Sequence, residues 1–153
     1  MVFKLSIAVY IFAALVLVNA DSKRDRIYRT YACEGRTLTL SCGKDRIFII
    51  KADYGRWNAS VCPYYEDPDM DLNCHQPLAL DNVINKCEKK SSCRFTADND
   101  FFSNPCPGQI KYSEVMYTCI SKWVMTGYAF LDKEDLEKLR QTMLPKNIAH
   151  GQH

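Results

Sequence analysis

Eight cysteines fall between residues 33 and 119 of a 153-residue chain, and their chemistry limits what the chain can become. A domain stapled by covalent cross-links tolerates a small core and long irregular loops, whereas reduced cysteines give no such support. The compartment decides between the two. Met1 to Ala20 reads as a secretory signal peptide: Lys4 supplies the positive start, Leu5 to Val18 is apolar except for Ser6, and Val18-Asn19-Ala20 offers a cleavage site before Asp21. As a helix, that apolar run reaches only about 21 Å, short of a ~30 Å hydrocarbon core. The expectation is a secreted, extracellular product with no membrane span after signal cleavage.

In an oxidising compartment Cys33, Cys42, Cys62, Cys74, Cys87, Cys93, Cys106 and Cys119 are read as bridges rather than metal ligands. No C-x-x-C pair points to a zinc knuckle or a redox motif, and His75 is the only histidine among them. Spacing alone leaves on the order of a hundred connectivities open. The formal net charge of +2 carries no basic surplus of the kind a nucleic-acid binder shows.

Three parts follow: the signal at 1–20, a folded unit at 21–120, and a cysteine-free tail at 121–153. Ile27 to Tyr31 is strand-like, and Thr37 to Ser41 alternates polar and apolar, as a strand with one buried face does. Ile47-Phe48-Ile49-Ile50 reads as a strand covered on both faces. Pro63, Pro68 and a crowd of acids and amides mark Asn58 to Cys74 as a long loop. Asp81 is placed as the N-cap of a short helix carrying Val83, Ile84 and Cys87 on one face. Arg94–Ala97 and Ile110–Cys119 read as further strands, separated by a loop from Asn99 to Gly108. In the tail, Asp132 suits an N-cap, Leu131 and Leu136 are spaced for a hydrophobic staple, and Pro145 ends the pattern. That predicts a helix over about 132–144, too short to stand alone in water. It must dock, pair with another chain, or fray. The fold class is mostly antiparallel β with one or two short helices and long loops, held by disulfides.

The chain is not read as an enzyme. It lacks G-x-S-x-G, H-E-x-x-H and any phosphate-cradling glycine loop, and His150 and His153 lie in the tail. His75 reads as a solvated loop histidine. Glu66, Asp67, Asp69 and Asp71 cluster without the spacing of a calcium loop, so neither a metal nor any other cofactor is expected. Asn58-Ala59-Ser60 is an N-glycosylation sequon in a loop-like context.

Three segments together carry a resemblance: Cys33-Glu34-Gly35; Ala52-Asp53-Tyr54-Gly55-Arg56; and Ala97-Asp98-Asn99-Asp100-Phe101-Phe102-Ser103-Asn104-Pro105-Cys106-Pro107-Gly108-Gln109-Ile110-Lys111-Tyr112, leading into Tyr117-Thr118-Cys119. The pattern resembles the SUEL-type galactose/rhamnose-binding lectin family of sea urchin and fish egg lectins, also found in latrophilin ectodomains. It covers residues 26 to 120 and all eight cysteines. The resemblance implies bridges Cys33–Cys62, Cys42–Cys119, Cys74–Cys106 and Cys87–Cys93. On a chain-entropy model Cys42–Cys119 contributes roughly 4.5 kcal/mol and Cys87–Cys93 roughly 2.4 kcal/mol.

Family members bind a monosaccharide without a metal, and by position Glu34, Tyr54, Asn99, Asn104, Gly108 and Lys111 fall on the ligand-contacting residues. Their chemistry suits a neutral sugar, whose hydroxyls both donate and accept. Glu34 can accept from two of them, Lys111 can only donate, and Asn99 can do both. Tyr54 is expected to offer a ring face to the sugar's C–H side, and Gly108 to let backbone come close. One departure stands out: the family's acidic position before Pro-Cys is Asn104 here, and the glycine that often precedes it is Ser103.

The resemblance therefore implies a secreted, calcium-independent lectin for galactose- or rhamnose-like sugars on cell-surface or secreted glycans. The alternative is an extracellular protein-recognition module with lost or weakened sugar binding, for which Asn104 and the aromatics Trp57, Tyr64 and Tyr65 speak. A disulfide-rich toxin or inhibitor is a weaker third reading.

Overall fold

The computed structural model describes residues 26–63, 70–128 and 133–144. In chain order its elements are β1 (Tyr28–Cys33), β2 (Thr37–Ser41), β3 (Arg46–Arg56), β4 (Cys74–His75), α1 (Ala79–Cys87), β5 (Ser92–Thr96), α2 (Asn99–Phe102), β6 (Tyr112–Ile120), α3 (Lys122–Tyr128) and α4 (Lys133–Met143). The signal segment lies outside the described residues, as do Tyr64, Tyr65, Glu66, Asp67, Asp69, Leu131, Asp132, His150 and His153. No described helix is long and apolar enough to cross a membrane.

The strands form two sheets, one of four strands in the order β1-β6-β3-β4 and one pairing β2 with β5, all antiparallel. β2 buries Leu38 and Leu40 between exposed Thr37, Thr39 and Ser41, the outcome its alternation predicts. Both leucines point into a core that the small sheet and α1 build against the inner face of the large one. Ile47, Ile49, Ala52 and Tyr54 of β3 enter it with Val83, Cys87, Phe95, Phe102, Val115 and Tyr117. The outer face has its own apolar patch of Phe48, Ile50, Met116, Ile120 and Met125, on which Leu136, Leu139, Met143 and Leu144 pack. The Ile47–Ile50 run is thus covered on both sides, and the tail helix docks.

β3 changes phase midway. Ile49 pairs with Tyr117, but Lys51, not Ile50, pairs with Met116, so Ile50 is an inserted residue. Before this bulge the odd-numbered residues face inward; after it the even ones do. Such an insertion lets a strand re-aim its side chains without leaving the sheet.

All four bridges implied by the resemblance are formed: Cys33–Cys62, Cys42–Cys119, Cys74–Cys106 and Cys87–Cys93, with Cα–Cα distances of 5.6, 5.4, 6.1 and 5.2 Å. Some local expectations need correction. Asp81 is not the N-cap of α1: Leu78 holds that place without a side-chain cap, and Asp81 lies in the first turn, where its charge suits the helix dipole. The stretch from Asn99 to Gly108 is not all loop, because Asp98 N-caps α2 by accepting from Phe101 N–H at 2.9 Å.

Arg56 closes β3 and is buried. Its guanidinium donates to the carbonyls of Val61 (2.7 Å), Cys62 (3.0 Å) and Ala59 (3.3 Å), folding the chain after the strand back upon it. Gly55 beside it has no freedom to vary: a Cβ there would sit 2.1 Å from the Cys74 carbonyl oxygen, where β4 crosses.

Candidate functional site

Glu34 follows β1 directly and faces the residue that precedes β6. Its backbone N–H donates to the Lys111 carbonyl (2.9 Å), and the Lys111 N–H donates back to Glu34 Oε2 (3.0 Å). The Lys111 ammonium lies 3.1 Å from Glu34 Oε1 and donates to the Gln109 carbonyl at 2.7 Å. Its side chain is 3% exposed against 24% for Glu34, so the carboxylate is the part of the pair that reaches solvent.

Tyr54 arrives from β3. Because of the bulge its side chain points inward, its ring stacked on Phe102 at 4.6 Å and fully buried. The expected role of its ring face is therefore corrected: Phe102 covers it, and Tyr54 bears on the site through its hydroxyl. That hydroxyl lies 3.2 Å from Glu34 Oε1 and 3.0 Å from Asn99 Oδ1. A phenol has one proton and donates to one of them at a time; a turned Asn99 amide would instead donate to the phenol. Burial, with the Glu34 charge second, drives the Tyr54 hydroxyl far above the usual 10.0. It stays protonated, as a donor to a carboxylate must.

Asn99 opens α2, and two contacts set that short helix in place. Asp98 caps it, and Gln76 donates from Nε2 to the Phe102 carbonyl (2.6 Å) while its N–H donates to the Tyr54 carbonyl (2.8 Å). Gln76 thus ties α2 to the end of β3. Sequence reasoning passed over both Gln76 and Phe102. The Asp98 cap was legible as an aspartate three residues before an aromatic pair, but Gln76 leaves no local signal.

Glu34, Tyr54, Asn99 and Lys111 are therefore brought together. Asn104 and Gly108 sit outside this hydrogen-bonded group, exposed on the adjoining loop that Cys106 anchors to Cys74 and that ends at Gln109. Gly108 has φ +83°, and no protein atom approaches where its side chain would be, so the turn explains the glycine. Ser103 holds φ 67° and ψ 171°, a region almost reserved for glycine, at the position where the family often has one.

The opposite face of the sheet holds a different group. His75 Nδ1 lies 2.7 Å from Asp53 Oδ2, and its ring stacks on Trp57 at 5.3 Å, so His75 is partnered rather than merely solvated. Trp57 also meets Tyr112 at 4.2 Å and is half-buried, which makes it a packing residue. Among the described residues no group of three or more His, Cys, Asp or Glu side chains is arranged to hold a metal ion.

The model of the D-galactoside/L-rhamnose binding SUEL lectin domain matches residues 40–119. The chain belongs to this family. It is 44% identical over 88 residues to the L-rhamnose-binding lectin CSL1 of Oncorhynchus keta, covering 58% of this chain and 30% of that one. Against Latrophilin Cirl of Drosophila mojavensis it is 42% identical over 96 residues, 61% of this chain and 6% of the receptor. Against Adhesion G protein-coupled receptor L1 of Mus musculus it is 36% identical over 126 residues, 82% of this chain and 8% of the receptor. The chain thus spans less than a third of these relatives. Its family is one of carbohydrate-binding modules. Within the SUEL match lie Tyr54, Asn99, Asn104, Gly108 and Lys111; Glu34 precedes it and is joined to it through Lys111 and Tyr54.

Proposed function

We propose that the chain is a secreted, calcium-independent lectin, without enzymatic activity, that binds galactose- or rhamnose-like sugars at Glu34, Asn99 and Lys111. The pairing of a carboxylate with an ammonium, and the meeting of that carboxylate and an amide at the Tyr54 hydroxyl, carry this reading. A carboxylate offers about four lone-pair sites, and the contacts from Tyr54, Lys111 Nζ and the Lys111 N–H leave capacity for a sugar hydroxyl. Lys111 uses two of its donors, on Glu34 and Gln109, and keeps a third. The Asn99 amide can donate and accept. Adjacent hydroxyls of a pyranose, each both donor and acceptor, match that set. Tyr54 orients Glu34 and Asn99 from below, while Asn104 and Gly108 form the rim.

Titration calorimetry with L-rhamnose and D-galactose, with and without chelator, tests this directly. Binding in the millimolar range, about −4 kcal/mol, is expected and should not change with chelator. Amide shifts of Glu34, Asn99 and Lys111 should move together; if all three stay silent with both sugars, the reading fails.

A second reading, an extracellular protein-recognition module, is favoured by the near-complete burial of Lys111 and by an amide at Asn104. Losing one charge-assisted bond costs about 1–3 kcal/mol, enough to weaken a monosaccharide site severely. Silence toward both sugars would select this reading. The sequon asparagine, Asn58, is exposed, and its Oδ1 accepts from Ser60 N–H at 2.9 Å. We place an N-linked glycan there, to be read as a mass loss on enzymatic deglycosylation.

A further inference from the structure

The bulge in β3 decides which side chains face the candidate sugar site, and two residues remote from that site hydrogen-bond to the strand beside it. Ile49, just before the inserted Ile50, directs its N–H and C=O to the edge of the sheet away from β6. Both groups are buried. The N–H donates to Glu88 Oε2 (3.1 Å), and the C=O accepts from Arg140 Nε (2.9 Å). The same arginine donates from Nη2 to both Glu88 oxygens, at 2.8 and 2.9 Å, and its guanidinium lies over the Phe48 ring at 4.9 Å. Arg140 is 5% exposed, although it sits on a helix beyond the family match.

Strand periodicity gives this clamp a consequence. A β3 without the insertion would continue the inward series Ile47, Ile49 with Lys51 and Asp53, and Tyr54 would turn outward. With it, Ala52 and Tyr54 face the core, and the Tyr54 hydroxyl meets Glu34 and Asn99. An inserted residue loosens the strand pairing locally, so satisfying Ile49 on its free edge restores order where the phase changes.

We propose that Arg140 and Glu88 are positioning residues for the sugar site: together they fix the β3 bulge, and through it the inward setting of Tyr54. The C-terminal helix is then part of the site's support. The inference rests on the lectin reading for its effect on sugar affinity, but not for its effect on the strand.

The test compares Glu88→Leu/Arg140→Met, which removes both hydrogen bonds to Ile49 without stranding a buried charge, with Met143→Ala, which trims the same helix–sheet contact and leaves the Glu88–Arg140–Ile49 hydrogen bonds in place. Both are studied well below their melting temperatures. In the double variant, amide hydrogen exchange at Ile49, Lys51, Ala52 and Tyr54 should quicken, and the Tyr54 ring signals should broaden. Affinity for L-rhamnose or D-galactose should fall about threefold or more. Met143→Ala should alter neither. Unchanged exchange at Ala52 and Tyr54 in the double variant overturns the proposal, as does faster exchange with full sugar affinity. If the unmodified chain binds neither sugar, the lectin reading fails by itself, and the exchange and ring signals still decide whether the clamp holds the bulge.

Discussion

The two faces of the four-stranded sheet are held by different means. On the inner face, Cys87 and Cys93 lie in the core, and Cys42 and Cys119 pack against it, so covalent bonds fasten the elements that surround it. On the outer face, Phe48, Ile50 and Met116 are covered by a helix that arrives through Leu136, Leu139, Met143 and the Arg140–Glu88 pair; the one bridge on that face, Cys33–Cys62, lies at the far end of the sheet and does not tie the helix down. The candidate sugar site opens from the inner side. Covalent ties guard the geometry that must be kept, while the helical cover rests on non-covalent contacts alone.

Breaking each kind of tie should separate the two faces. The largest effect is expected from Cys42→Ala/Cys119→Ala, about 4–5 kcal/mol of stability by urea denaturation, against about 2.4 kcal/mol for Cys87→Ala/Cys93→Ala. Equal losses would mean that loop length does not govern the inner face. Next comes Arg140→Ala, which leaves the Glu88 carboxylate, 8% exposed, without its cation; about 3–5 kcal/mol is expected in the same assay. A loss under about 1 kcal/mol would show that the pair behaves as a surface ion pair.

Alkaline pH probes both faces at once. Burial raises the Tyr54 hydroxyl on the inner face and the Tyr112 hydroxyl on the outer one, with Glu34 and Glu114 adding to the respective shifts. A raised pKa makes the neutral phenol the form that folding favours. That stability is complete below the unfolded value of 10.0 and declines as pH climbs beyond it, by about 1.4 kcal/mol per pH unit for each group. Phenolate absorbance should show these two tyrosines ionising only with unfolding.

Smaller effects sharpen the picture of the site. Glu34→Gln keeps the shape but removes the charge facing Lys111, and should weaken sugar binding about tenfold in calorimetry. Ser103→Gly relieves a backbone conformation costly to serine and should add about 1 kcal/mol, read as a raised melting temperature. A lower melting temperature would mean that the Ser103 side chain compensates for its backbone.

Much of the inner face was legible. Alternation placed β2, the apolar run placed the middle of β3, and the resemblance supplied a bridge pattern that the structure forms. Phase was the hidden quantity. Ile47 to Ile50 reads the same whether or not a residue is inserted, because both faces are apolar there; only at Asp53 and Tyr54 does the parity matter. The motif residues were visible, yet their work was not: Arg56 folds back a loop, Gly55 admits β4, and Tyr54 acts by its hydroxyl. Arg140 was unreadable because its partners, Ile49 and Glu88, are 91 and 52 residues away in the chain.

The Cys42–Cys119 bridge also sets a mechanical path. Tension between the two ends of the domain would peel the terminal helix and β1, then run through residues 33–42 and across the sulfurs to Cys119. The chain enclosed by that bridge bears none of the load once this path is taut. Tyr54, Asn99 and Lys111 lie inside the sheltered stretch, while Glu34 lies on the loaded one. A pull on the molecule would thus reach the joint between the carboxylate and its partners only after the terminal helix and β1 have peeled, and there the Cys33–Cys62 bridge still ties the loaded stretch to the sheltered one.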